Sequence, residues 1–126
     1  MENENSLIMY FIINDSLGMS PGKVAAQCTH ACKMITIDYN NTKNSLPCFP
    51  KGGDKYKKVK DFESCNIHIT LKASQSKFDK IKSEFDCFVV KDLGFTEVCP
   101  GSETVLVLRP MNKKSVPDII KRLRLY

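Results

Sequence analysis

Lys23, Gln27 and His30 are spaced so that, at about 100° per residue, all three fall within an arc of about 60° on a helix. A cation, an amide and an imidazole along one strip can line a cleft and hold an anionic or carbonyl-bearing ligand. The plainer alternative is a partly solvated helix face on which His30 is satisfied locally. Lys23 carries a second hint. It falls in the first turn of a helix predicted to open at Pro21, where a positive charge opposes the helix dipole by up to ~1 kcal/mol unless an anion lies nearby. Farther along, Asp92 and Thr96 flank Gly94 just after a predicted strand, and Ser102 and Thr104 precede the next one. Hydroxyls and one carboxylate can therefore converge at one edge of a sheet. Turn chemistry alone also selects Asp, Gly, Thr and Ser in such loops.

Other chemistries fit less well. Gly18 and Gly22 are too close together, and Val24 follows Lys23, so the phosphate-loop pattern G-x-x-x-x-G-K-[ST] fails and nucleotide hydrolysis is disfavoured. A helix start preceded by glycine still offers N–H groups to a phosphate of another ligand. Cys28, His30 and Cys32 cluster, but on a helix the imidazole projects nearly opposite the two sulfurs, which cannot close a tetrahedral zinc site. No secretory signal precedes the six cysteines, so they read as reduced, semi-apolar residues rather than a disulfide framework. No metal or other cofactor is expected. A Ser-His-Asp set is not identifiable from spacing, because geometry rather than order defines it.

The elements that must position these groups follow from hydrophobic periodicity. Residues 7–13 form a continuous apolar run, the pattern of a strand covered on both faces and the candidate central strand. Ser20 can cap and Pro21 can open the first helix, and Val24, Cys28, Ala31 and Ile35 recur at helical spacing to about Tyr39. Residues 40–53 read as a loop, followed by a short basic helical turn over residues 56–62. Ile67, Ile69 and Leu71 alternate with polar residues as a half-buried strand. Phe78, Ile81 and Phe85 mark a helix after Ser74 or Ser76, residues 87–90 a third strand, residues 92–102 a loop, and residues 105–108 a fourth strand ended by Pro110. A last helix is predicted from about residues 115–117 to about Leu123. Strands alternating with helices predict an α/β layer fold with a small, mixed, four-stranded sheet. Neither an internal repeat nor a second domain is visible: residues 1–6 read as a disordered lead and residues 7–126 as one domain.

With 126 residues, 42% hydrophobic and 26% charged, the chain can bury one core, and a wholly disordered or collagen-like protein is excluded. Its longest apolar run is far short of the ~20 residues a bilayer needs, and the acidic start Met1-Glu2-Asn3-Glu4 does not resemble a signal peptide. A soluble, cytoplasmic protein without membrane contact is the expectation. The excess of 19 Lys and Arg over 14 Asp and Glu, +5 in all, favours phosphate-bearing partners. It is concentrated in Lys51, Lys55, Lys57, Lys58 and Lys60, and again in Lys113, Lys114, Lys121, Arg122 and Arg124. Two solvated basic segments would look the same.

Three blocks resemble one family: Leu17-Gly-Met-Ser-Pro-Gly-Lys-Val-Ala-Ala-Gln-Cys-Thr-His-Ala31, Val90-Lys-Asp-Leu-Gly-Phe-Thr96 and Pro100-Gly-Ser-Glu-Thr-Val-Leu106. They are similar, in order and approximate spacing, to the peptidyl-tRNA hydrolases of the archaeal and eukaryotic type, and the resemblance runs from about Leu7 to Leu125. It implies a three-layer α/β sandwich, no metal cofactor, and hydrolysis of the ester joining a peptide to the terminal ribose of tRNA. It carries functional roles onto Lys23, Gln27, Asp92, Thr96 and Thr104, with His30 a nearby member of the motif. Leu93 stands where the family has a small Ala, Phe95 where it has a basic or polar residue, and a Trp common in the middle segment is absent.

The resulting expectation is an esterase that recycles tRNA, with peptidyl-tRNA as its partner and water as nucleophile. Asp92 would orient or deprotonate the water, Lys23 would stabilise negative charge, and Gln27, Thr96 and Thr104 would position ester or water. Lys55, Lys57, Lys58 and Lys60, with those at residues 113–124, would grip the RNA backbone, and Phe95 would stack on an unpaired base or be buried. The alternative is a catalytically silent tRNA- or protein-binding module of the same fold, and a homodimer stays open.

Overall fold

The computed structural model describes residues 5–48, 51–94 and 97–126. Its sheet is built on β1 (Leu7–Asn14), in which seven of eight residues are buried. Such a run is stable only if both faces are covered. Ile8, Tyr10 and Ile12 pack into one core cluster with Phe78, Ile81 and Ile120, whereas Met9, Phe11 and Ile13 pack into another with Val24, Ala31 and Ile35. The first face is covered by α3 (Gln75–Glu84) and α4 (Asp118–Lys121), the second by α1 (Pro21–Ser45), with α2 (Asp54–Ser64) against it. Phe78 has no exposed surface, so truncating it to Ala would cost about 3–5 kcal/mol.

The other strands are β2 (Ile67–Ala73), β3 (Cys87–Lys91), β4 (Glu103–Leu108), β5 (Met111–Asn112) and β6 (Arg124–Leu125). Their order is β3-β4-β1-β2-β6, with β5 also paired to β1. Among the described residues only β1 and β2 pair in parallel; β4 runs antiparallel to both β1 and β3. Strands β1, β2 and β3 therefore point the same way, and their carboxyl ends emerge along one edge of the sheet. Ligands of α/β sheets characteristically bind outside that edge.

Three expectations need correction. The sheet has six strands rather than four, because β5 and β6 are two residues each, too short for alternation to reveal them. They exist because β1 and β2 offer ladder partners; beyond β6 the chain continues with Tyr126 N–H donating to the Thr70 carbonyl at 3.1 Å. The last helix is only four residues long, preceded by a 3₁₀ turn (Lys113–Ser115) and followed at once by β6. The first helix runs on to Ser45 instead of ending near Tyr39. Packing carries it through the polar stretch: Tyr39 stacks on Phe62 of α2 at 4.6 Å, and Lys43 pairs with Glu63 at 2.9 Å.

Candidate active site

The entry to α1 is fixed locally. Gly18 takes φ +61°, which closes a 3₁₀ turn (Asp15–Leu17) after β1; Ser20 then caps the helix, its hydroxyl accepting from the Lys23 N–H at 3.2 Å, and Pro21 occupies the first turn. A distant residue completes the cap. The Glu97 carboxylate accepts from the Ser20 N–H at 2.8 Å and from its hydroxyl at 2.7 Å, with the Glu97 backbone held at φ 54°. Those two bonds, the N–H first, hold the Glu97 carboxyl below the usual range.

Lys23, so placed, reaches Asp92. Its Nζ lies 3.1 Å from Oδ1 and 3.1 Å from Oδ2, and each side chain is only 11% exposed. The anion that a first-turn lysine calls for is thus supplied by the chain itself. Burial is the largest single influence on the Asp92 carboxyl and pushes it up. The hydrogen bond and charge of Lys23, helped by the Gly94 N–H and the Gln27 amide, outweigh it and hold the group below the ordinary carboxylate range.

Backbone geometry holds Asp92 from behind. Its N–H donates to the Ser102 carbonyl at 2.9 Å, and its carbonyl accepts from the Gly101 N–H at 2.7 Å. Gly94, at φ +82°, lies so close to Pro100 that a Cβ there would stand 2.5 Å from its ring. Only glycine fits both constraints. On the partner strand, Val105 pairs with Val90 but Glu103 pairs with Lys91, so Thr104 is an inserted residue of the kind that re-aims side chains beside active sites. Thr104 is fully buried and its hydroxyl donates to the Val90 carbonyl at 3.3 Å, two residues before Asp92.

Gln27 is 2% exposed and faces Asp92, yet its Nε2 has no well-formed hydrogen bond within the described residues; nor does Asp92 Oδ2, ion pair aside. Buried polar atoms are nearly always satisfied, so the Gln27 amide, with bonding capacity to spare beside the Lys23–Asp92 pair, marks a place where an external polar group can bind. They border a cleft of about 720 Å³ between α1 and the edge strand β3, lined among others by His30, Met34, Val89 and Leu93. Leu93 is 72% exposed at its rim.

The structure therefore brings Lys23, Gln27 and Asp92 together and places the exposed His30 farther down the same cleft. Thr104 supports the strand that delivers Asp92. Thr96 and Phe95 lie outside the described residues. Lys55, Lys57, Lys58 and Lys60 are on α2, which packs on the carboxyl-terminal half of α1; Lys57 lines a cavity with Leu7, at the opposite end of β1 from the Asp92 edge. Lys57, Lys58 and Lys60 are ion-paired with Asp61, Asp86 and Glu63.

Three of the six cysteines pack: Cys28 is half-buried and its thiol is pushed up to about 11 by burial, Cys65 is buried and donates to the Leu7 carbonyl at 3.5 Å, and Cys87 is half-buried, whereas Cys32, Cys48 and Cys99 are exposed. Among the described residues, no three His, Cys, Asp or Glu side chains converge as metal ligands, and no helix is long and apolar enough to cross a membrane.

Sequence reading missed Glu97 and Asn14. Asn14, buried at the end of β1, donates to Gln75 at 3.0 Å and to the Glu103 carbonyl at 3.1 Å, tying α3 and β4 to the site's edge. Neither role leaves a local signal, since the partners lie 61 to 89 residues away.

Comparison with known proteins converges on one description. A family model described as peptidyl-tRNA hydrolase PTH2 matches residues 7–126. A probable peptidyl-tRNA hydrolase 2 of Dictyostelium discoideum is 32% identical over 123 residues, covering 91% of this chain and 52% of the relative. The peptidyl-tRNA hydrolase of Methanocaldococcus jannaschii is 26% identical over 123 residues, covering 93% and 97%. A mouse relative named peptidyl-tRNA hydrolase 2, mitochondrial, is 26% identical over 125 residues, covering 94% and 62%. The chain thus spans about half the length of the Dictyostelium relative and nearly the whole of the archaeal one.

Proposed function

Since the chain belongs to the peptidyl-tRNA hydrolase PTH2 family, we propose that it hydrolyses the ester joining a peptide to the terminal ribose of tRNA. Residues 7–126 act as the single domain that does so. The observation that carries this reading is the buried Lys23–Asp92 pair at 3.1 Å beside the Gln27 amide, which approaches Asp92 without a well-formed hydrogen bond, at the mouth of a cleft.

Water is the nucleophile. Asp92, ionised under physiological conditions, orients it and takes its proton as the oxygen attacks the ester carbonyl. The carbonyl oxygen becomes negative, and Lys23 Nζ with the Gln27 Nε2–H group stabilises it in a site largely screened from solvent. Collapse breaks the bond to the ribose oxygen, which receives the proton held by Asp92; free peptide and tRNA leave. Thr104 is a positioning residue acting through β3. Thr96 supplies a hydroxyl to the ester or the water, and His30 borders the part of the cleft that receives the peptide. The apolar wall of Met34, Val89 and Leu93 suits a peptide of varied sequence.

Phe95 stacks on an unpaired base at the 3′ end of the tRNA, and the α2 lysines offer an outer contact to its backbone, remote from the ester. In this reading the protein acts in the cytoplasm; the mouse relative is named mitochondrial.

A release assay with an N-blocked aminoacyl-tRNA, run with EDTA present, tests the whole reading. Wild-type protein should free the blocked amino acid and Asp92→Asn should not. Absence of release by well-folded wild type would refute it.

A further inference from the structure

The basic carboxyl-terminal segment turns back toward the sheet edge. Arg122 and Arg124 meet Lys72, the penultimate residue of β2, and Lys77 in the first turn of α3, and the four cations surround a cavity of about 310 Å³. Asp15 is the single carboxylate in its lining. Among the described residues, none of the four cations lies within ion-pair distance of a carboxylate, in contrast to Lys57, Lys58 and Lys60 of α2. The β2–β6 register also sets Lys72 directly opposite Arg124. Like charges at opposed ladder positions destabilise a sheet. The chain accepts that repulsion in a two-residue strand, and an anion between the two cations would relieve it.

The cavity is also well placed. It opens where β2 ends, and Asp92 follows the end of β3, so both lie along the same edge of the sheet. Three strand steps separate β3 from β2, about 14 Å at ~4.8 Å each. That span equals about four stacked nucleotides at ~3.4 Å each.

We propose that the pocket formed by Lys72, Lys77, Arg122 and Arg124 binds a backbone phosphate of the RNA whose 3′ ester lies at Asp92. This rests on the hydrolase reading for the direction of the RNA, but its test does not need catalysis. The pocket holds a phosphodiester upstream of the ester and sets the register in which the terminal ribose reaches Lys23 and Asp92. Recognition is by charge and position, so it is independent of base identity.

The test compares wild type with Lys77→Gln/Arg122→Gln/Arg124→Gln in binding to deacylated tRNA across a salt series. The Kd should rise at least about tenfold, and the log–log salt slope should flatten by roughly 0.7–0.9 per lost contact. Arg122→Lys/Arg124→Lys should stay close to wild type. Thermal melting without RNA should be unchanged or higher in the Gln variant, because repulsion is removed. In turnover, KM for N-blocked aminoacyl-tRNA should rise with kcat preserved, while cleavage of an N-blocked aminoacyl-adenosine, which lacks upstream phosphates, should not change. Equal affinity and slope in the two proteins would overturn the proposal, as would an equal loss on the adenosine ester. Wild type that fails to bind tRNA overturns it too. If millimolar inorganic phosphate raises the wild-type Tm while the variant keeps its tRNA affinity, the pocket serves a free small anion and the proposal falls. Wild type that binds tRNA but cleaves neither substrate removes the hydrolase reading instead, and the binding comparison still decides the pocket.

Discussion

Lys23 Nζ stands 3.1 Å from both carboxylate oxygens of Asp92, across 69 residues of sequence. The first turn of α1 and the end of β3 meet at one sheet edge, and each side chain lies nine-tenths out of water there. The pairing keeps the Asp92 carboxyl below the ordinary range, in a place where either side chain could act on an ester.

Asp92→Asn and Lys23→Ala should each lower turnover at least ~100-fold, the range for losing a general base or a charge stabiliser. Both variants should stay folded by circular dichroism, melting below wild type because the Lys23–Asp92 ion pair is lost. Turnover near the wild-type rate in either would take that residue out of the mechanism.

The pH behaviour has a definite sign. Because the folded Asp92 carboxyl lies below its unfolded value of ~3.9, its contribution to stability is complete above that value and is lost as pH falls through the lower folded one. No acid limb from this group should appear in kcat/KM near neutrality. In Lys23→Ala the two main lowering influences vanish while burial remains, so the carboxyl should move up, which a carbon-13 NMR titration would read directly. An unmoved resonance would show that Lys23 does not govern Asp92.

Ser20 serves two partners, capping the Lys23 N–H and donating to Glu97. Ser20→Ala should cost about 1 kcal/mol as a lost cap. It should also lower kcat, because the change removes one of the two bonds to Glu97, leaving only that from the backbone N–H, and loosens the turn that carries Lys23. A melting shift with kcat intact would reduce Ser20 to a helix cap alone.

Phe95→Ala should raise the Kd for tRNA roughly 5- to 150-fold, the equivalent of about 1–3 kcal/mol of lost stacking, with little change in Tm. Intact affinity with a loss of ~3 kcal/mol in stability would instead assign the ring to the core.

Replacing Lys55, Lys57 and Lys58 by Ala should flatten the salt slope of tRNA binding less than the pocket triple variant does, since Lys57 and Lys58 already spend charge on Asp61 and Asp86. A larger effect than that of the pocket would place the main RNA track on α2.

Much of this molecule is legible in one dimension. Periodicity locates β1, the starts of α1 and α3 and the alternation of β2, because each depends on which neighbouring residues are apolar. The arc of Lys23, Gln27 and His30 follows from helix geometry alone, and the three sequence blocks carry the family resemblance. Other features depend on partners remote in the chain. Nothing near Lys23 announces that its anion is Asp92, nothing near Ser20 announces Glu97, and only the β3–β4 register makes Thr104 an inserted residue. The same holds for the carboxyl terminus, where local signals continue a helix but the free edge of β2 offers ladder hydrogen bonds to Arg124 and Leu125. Spacing fixes what a segment can present to its own neighbours; which side chains share a low-dielectric site is decided by long-range burial and pairing, whose energies exist only once the sheet has formed.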